Sequence, residues 1–185
     1  TLVTLNTRYR GSEAAQILRR SGVQILITAG TFLDTDYPAL LDGQDCGDLL
    51  TSIVLDEPGP DGFAALLQAG RAALSDPQSP VSQALAAARD RVSEDDLSDI
   101  LFTSGTTGTP KGVMTTHSQN LRAFAVFVDL LGLDDSDRYL IINPFFHSFG
   151  YKAGWLACLL VGAEAHPIAV FDVNALIKTI GARQI

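Results

Sequence analysis

The sequence predicts an α/β fold: a layered, largely parallel sheet flanked by helices. Three observations predict it. Short uncharged runs rich in β-branched residues alternate with amphipathic stretches at helical spacing. Capping residues and glycine stops separate the two kinds of segment. One of the apolar runs leads directly into a loop dense in glycine and threonine.

The first quarter reads as a helix and then a strand. Ser12 fits an N-cap, Ala14, Ile17 and Leu18 form an apolar stripe, and Gly22 fits the left-handed stop. Val23–Thr28 (VQILIT) is uncharged, the pattern of a buried parallel strand, and Ser52–Leu55 is the next strand. From Asp56 to Asp96 the chain is punctuated by Pro and Gly and rich in Ala. Two short helices, near Phe63–Ala73 and Val81–Arg91, are expected inside a solvated connector. Ile100–Thr103 is then a strand entering the loop. Ser118 is expected to cap a helix burying Leu121, Phe124, Ala125, Val128 and Leu131. A strand at Tyr139–Ile142, an apolar helix at Tyr151–Leu160 and a strand at Glu164–Val170 follow. Asp172 caps a last helix from Val173 to about Ile180.

Composition narrows the function classes. Of the 185 residues, 46% are hydrophobic and 18% charged, which excludes a disordered chain. Gly, Asn, Pro or His interrupts every apolar stretch well before the about 20 residues a membrane helix needs. The net charge of −8 argues against nucleic acid, whose partners carry a basic face. Cys46 and Cys158 lack ligand spacing and read as reduced thiols of a cytoplasmic protein, with peripheral membrane attachment left open. His117, His147 and His166 share no metal-ligand spacing, so no protein-held metal is expected. Asp134, Asp135 and Asp137 read as a solvated turn rather than a calcium loop. The chain opens on Thr1 with no leader and ends in a regular stretch, so it reads as a piece of a larger protein.

The loop Thr103–Val113 reads TSGTTGTPKGV. Each residue type in it suits a polyphosphate. Gly105, Gly108 and Gly112 permit positive φ and let backbone N–H groups converge on an anion. Thr103, Ser104, Thr106, Thr107 and Thr109 offer hydroxyls. Lys111 brings a full positive charge on a flexible stem, and Pro110 restricts the backbone before it. A solvated linker would explain the threonines but not a Pro-Lys-Gly ending straight after a buried strand. The loop is not a Walker A motif: counted from Gly105, the required second Gly is Pro110, and Gly112 replaces the hydroxyl that would follow Lys111.

The run Asp99–Val113, with Thr116 and His117, closely resembles the adenylate-forming superfamily of acyl-CoA synthetases, luciferases and peptide-synthetase adenylation domains. The resemblance implies that the loop grips the β- and γ-phosphates of ATP, with Lys111 neutralising charge on departing pyrophosphate. A second segment, Asn143–Lys152 (NPFFHSFGYK), follows a strand and precedes an apolar helix, a position where α/β proteins bind ligands. It resembles the family's aromatic-and-His motif. On that resemblance His147 places the substrate carboxylate, and Phe146, Phe149 and Gly150 shape the acyl tunnel. Pro144–Gly154 looks most like actinobacterial acyl-CoA ligases, including those acting on sterol-derived ring propionates.

The resemblance further implies a two-step reaction, acyl-adenylate formation and then transfer to coenzyme A, with Mg2+ bridging the phosphates. The substrate is a small-molecule carboxylic acid, a fatty acid or another bulky apolar acid. Residues 1–185 are expected to form part of a large N-terminal AMP-binding domain. Within it, 1–55 is a first α/β segment, 56–96 a connector and 97–185 the phosphate-loop and acyl segment. Motifs for magnesium, ribose and a carboxy-terminal lid with its lysine are not in this sequence, so the piece alone is expected to be inactive. Two alternatives stay open: an aryl or amino acid activator, and a nucleotide-binding module without chemistry.

Overall fold

The computed structural model describes residues 1–60, 62–103 and 110–185. In chain order the elements are β1 (Leu2–Thr4), α1 (Gly11–Ser21), β2 (Ile25–Thr28), β3 (Thr31–Phe32), β4 (Thr35–Asp36), a 3-10 turn (Ala39–Leu41), β5 (Thr51–Val54), α2 (Phe63–Ala73) and α3 (Pro80–Asp90). They continue with β6 (Leu97–Thr103), β7 (Lys111–Thr116), α4 (His117–Leu131), β8 (Arg138–Ile141), a π-helix (Phe149–Leu156), α5 (Ala157–Val161), β9 (Glu164–Pro167) and α6 (Val173–Arg183). The predicted α/β class holds. Two compact units emerge: Arg8–Ser93, and Thr1–Thr7 with Glu94–Ile185.

In the Arg8–Ser93 unit, α1 starts before the expected cap. Arg10 is the extended residue at its head, its N–H donating to Glu13 Oε2 at 2.8 Å, and Ser12 lies inside the first turn. Glu13 reaching back decides that boundary. The helix ends as expected on Gly22, at φ 60°. Ala15, Ile17 and Leu18 are buried. Strands β2 and β5 pair in parallel, from Ile25↔Thr51 to Thr28↔Val54. The strand is not buried as expected: pairing with β5 covers an edge and not a face, so Ile25 and Ile27, which share one face, are 58% and 56% exposed, while Leu26 and Thr28 on the other are half-buried. Helix α2 has its expected bounds. Helix α3 starts at Pro80, with Ser79 Oγ accepting from Ser82 N at 3.1 Å.

The other unit is built on the strand order β1-β6-β7. β1 runs parallel to β6, with Leu2↔Asp99 and Thr4↔Leu101. β7 turns back antiparallel along β6, and it is a strand the sequence reading did not expect. Its Lys-Gly-Val-Met-Thr-Thr run is mostly exposed and has a glycine inside, so it carries no alternation to detect. β8 and β9 pair in parallel from Arg138↔Glu164 to Ile141↔Pro167. The sheets are therefore mixed, with parallel pairs at β1–β6, β2–β5 and β8–β9 and antiparallel pairs at β6–β7 and β3–β4.

Three helices in this unit depart from expectation. α4 is capped by Thr116, not Ser118: Thr116 Oγ1 accepts from Gln119 N at 3.3 Å, and Gln119 Oε1 accepts from Thr116 N at 3.0 Å. Its buried residues are Asn120 and Val128, with Phe124 and Phe127 half-buried; Leu121, Ala125 and Leu131 are exposed. The apolar stretch expected to be one α-helix is a π-helix followed by the short α5. α6 is capped by Asp172 as expected, Oδ1 accepting from Ala175 N at 2.7 Å, but it runs on to Arg183. β9 stops at Pro167, which has no N–H to give a ladder. Leu101, Val128, Ile141, Ala153, Ala157 and Cys158 form the apolar core here. Both cysteines are free. Among the described residues no helix is long and apolar enough to cross a membrane.

Candidate active site

The hairpin β6–β7 presents the two ends of the glycine-rich loop. Thr103 and Lys111 face each other as its last paired residues, and Thr103 Oγ1 donates to the Lys111 carbonyl at 3.4 Å. Lys111 is exposed, its ammonium open to an anionic ligand. Ser104, Gly105, Thr106, Thr107, Gly108 and Thr109 lie outside the described residues. Gly112 is inside β7, paired with Phe102, and is not among the positive-φ glycines. Its use is therefore close packing and not a left-handed turn: an added Cβ would come within 2.9 Å of Ile100 Cγ2 and 3.2 Å of Phe102 Cζ.

Below that end, the hairpin carries a buried polar cluster. Asp99 on β6 and Thr115 on β7 are direct partners in the register. Lys152, from the π-helix, places its Nζ 2.8 Å from Asp99 Oδ1, 2.8 Å from Thr115 Oγ1 and 2.8 Å from Asn120 Oδ1. Asn120 Nδ2 donates to Asp99 Oδ2 at 2.6 Å, and the Thr115 hydroxyl donates to Asp99 Oδ1 at 2.8 Å. Both charged side chains are withdrawn from water, at 7% and 0% exposure for Lys152 and Asp99. Burial of either alone would be prohibitive, and the complete set of partners is what makes it tolerable. Beside the cluster, Tyr151 stacks on Trp155 at 5.8 Å. Burial, and after it the Asp99 carboxylate, push the Tyr151 phenol up.

The second predicted segment forms a turn leading into the π-helix. His147 N donates to the Pro144 carbonyl at 3.0 Å, and the His147 carbonyl accepts from Tyr151 N at 3.0 Å. Phe149 N donates to His147 Nδ1 at 3.2 Å, so in the neutral ring Nε2 carries the proton. The His147 side chain is exposed. Phe146 is half-buried, its carbonyl accepting from Thr4 Oγ1 at 3.2 Å. Phe149 is 54% exposed and meets Phe127 of α4 edge to face at 6.4 Å. Gly150 is buried where no side chain fits, since an added Cβ would overlap the carbonyl oxygens of Asn143 and Pro144.

Of the other candidates, the acidic turn satisfies itself. Asp134 Oδ1 accepts from the N and Oγ of Ser136, which hold its carboxyl below the usual range, and Asp137 Oδ2 accepts from Asp134 N. His117 is the first residue of α4, its N donating to the Asp96 carbonyl at 3.2 Å. His166 Nε2 lies 3.1 Å from Glu164 Oε1. Among the described residues no group of three or more His, Cys, Asp or Glu stands ready for a metal ion. Sequence reasoning missed the Asp99–Lys152 cluster. Its one signal was a carboxylate inside the apolar run Leu97–Phe102 and an ammonium inside Tyr151–Val161, each needing an opposite charge once buried.

Comparison with known proteins places these features in context. The model of a family described as AMP-binding enzyme matches residues 1–185. The (7a-methyl-1,5-dioxo-octahydro-1H-inden-4-yl)propanoyl:CoA ligase of Rhodococcus jostii is 44% identical over 196 residues, covering 100% of this chain and 36% of the relative. The Mycobacterium tuberculosis ligase of the same name is 42% identical over 185 residues, covering 100% of this chain and 35% of the relative. The chain thus spans about a third of the length of these curated relatives. Among solved structures, the N-terminal domain of FACL13 from Mycobacterium tuberculosis superposes with a TM-score of 0.74 at 24% identity, over 99% of this chain and 41% of that one. The anthranilate CoA ligase AuaEII, in complex with anthranoyl-AMP, gives 0.75 at 23% identity, over 97% and 33%. At such identities the two structures support the fold alone.

Proposed function

From the premise that this chain belongs to the AMP-binding enzyme family, we propose that the full-length protein activates a carboxylic acid with ATP and transfers the acyl group to coenzyme A. The observation that carries the reading is the hairpin β6–β7, which pairs Thr103 with an exposed Lys111, the two residues that bracket the glycine-rich run in the sequence. In the first step a carboxylate oxygen bonds to the α-phosphorus, the bond from that phosphorus to the β-phosphate breaks, and pyrophosphate leaves. In the second the coenzyme A sulfur bonds to the acyl carbon, its thiol proton is lost to solvent, and AMP leaves with the mixed-anhydride oxygen.

The chain's own groups suit the first step. Lys111 supplies a point charge for the departing pyrophosphate, and the Thr103 hydroxyl stands at the other root of the loop. His147, its Nδ1 taken by Phe149 N, turns Nε2–H into a donor for the substrate carboxylate. The described residues offer no carboxylate grouping for magnesium. Magnesium would be carried by the phosphates of the nucleotide and would supply charge there.

For the acid itself, we propose a bulky apolar one bearing a short propionate arm. Phe146 and Phe149 offer an apolar wall, and the relatives that match at 44% and 42% are named for a bicyclic propanoyl group. On this reading residues 1–185 contribute part of the large N-terminal domain, and the lid lies outside them. The test is AMP and acyl-CoA formation by the full-length protein with ATP, coenzyme A and a panel of fatty, aryl and ring-bearing propionic acids. Ring propionates are expected to lead the panel, and Lys111→Ala to lower AMP formation on the order of 100-fold. Nucleotide turnover with none of the acids, or a Lys111→Ala rate equal to that of the unaltered protein, defeats the reading.

A further inference from the structure

The buried charge cluster joins two segments to which the proposed reaction gives different substrates. Asp99 and Thr115 are paired across the hairpin whose far end is Thr103 and Lys111. Lys152 follows His147 and Phe149 within the same turn and π-helix. An ammonium has three protons, and here Asp99, Thr115 and Asn120 take one direction each at 2.8 Å. The partners are themselves oriented, since Thr115 and Asn120 each accept from Lys152 and donate to Asp99. Lys152 is thus held from three sides, by Asp99 and Thr115 of the hairpin and by Asn120 of α4. The turn before it has little slack either: Gly150 packs against the Asn143 and Pro144 carbonyls too closely for even a methyl group. Gly154 in the same π-helix leaves an added Cβ only 2.8 Å from Ile141 Cγ2.

We propose that Asp99 and Lys152 are positioning residues for adenylate formation: the pair holds the His147 segment in register with the Lys111 end of the hairpin. The inference rests on the acid-activating reading above. Reacting atoms must come within about 3–3.5 Å in an aligned pose, and a displacement of about 1 Å costs on the order of 100-fold in rate. The cluster supplies that alignment between the segment that orients the carboxylate and the strand end that meets the phosphates.

An ion pair that served stability alone would be replaceable, because apolar side chains of similar volume commonly hold such a site as well or better. That difference makes the test. The full-length protein, its Asp99→Leu/Lys152→Met double variant and its Thr115→Val variant are compared by three readouts. These are thermal midpoint, acid-dependent ATP–pyrophosphate exchange, and thioester formation from supplied acyl-adenylate and coenzyme A. The double variant is expected to unfold in a single thermal transition and to keep its thioester rate within two-fold of the unaltered protein, while exchange falls on the order of 100-fold. Thr115→Val, which keeps both charges and loses one hydroxyl, is expected to lower exchange on the order of 10-fold with thioester formation unchanged. Exchange within two-fold of the unaltered protein in the double variant overturns the proposal. So does equal loss of both half-reactions in a folded variant. If the double variant does not fold, Thr115→Val decides by the same two criteria. Absence of exchange in the unaltered protein with every acid is a different failure: it defeats the acid-activating reading itself and is read before any variant.

Discussion

Helices α2 and α3 and the hairpin with its π-helix lie at opposite ends of one scale. α2 and α3 bury no residue at all. They are held by local means: a Ser79 cap, a proline in the first turn of α3, and alanines that favour helix wherever they stand. The hairpin and π-helix are held by pairings between residues far apart in the chain. Asp99 meets Lys152, and Thr4 meets Phe146. The contrast teaches that regular local signals mark where a chain folds easily, while pairings between distant residues have no local signal to announce them.

Substitutions of matched kind break or sharpen that contrast. Lys152→Met alone leaves the Asp99 carboxylate buried without its counter-charge, and should cost about 3–5 kcal/mol in a urea titration of the full-length protein. A loss under about 1 kcal/mol there would mean that water reaches Asp99 and the cluster is not dry. Gly150→Ala should cost about 2–3 kcal/mol, because the new methyl group meets backbone carbonyls that cannot step aside. Gly70→Ala is the same exchange in α2, where an added Cβ meets nothing within 4 Å. It should stabilise the protein by about 0.5–1 kcal/mol by narrowing the unfolded ensemble. If the two glycine substitutions shift the urea midpoint in the same direction, the contrast between the regions collapses.

The same contrast explains what could be read from the sequence. Phe63–Ala73 has its predicted bounds, and the caps at Gly22 and Asp172 were foreseen, because each depends on residues within one turn. Ser12 and Ser118 were misread as caps for a related reason. Glu13 reaches back to Arg10 and Gln119 to Thr116, and that reciprocity outweighs a serine two residues on. The buried stripe of α4 was misplaced because Asn120, a polar residue, is its most inward position, and it faces inward only for the sake of Asp99 and Lys152. β7 went unseen because its side chains are mostly exposed and follow no period. At the candidate site, Thr103 and Lys111 stand out in the sequence by residue type, and the structure pairs them across the hairpin; the ion pair beneath them was not legible, since nothing in a linear text tells which buried carboxylate meets which ammonium.

The saturation of Lys152 also governs what reagents can do to this protein. Of the three lysines in the chain, Lys111 and Lys178 are exposed, whereas Lys152 is buried with its Nζ taken up by three partners. An acylating or reductively methylating agent therefore finds two lysine amines of this folded chain and the third only after it opens. A modification found on Lys152 is a record that the molecule once came apart.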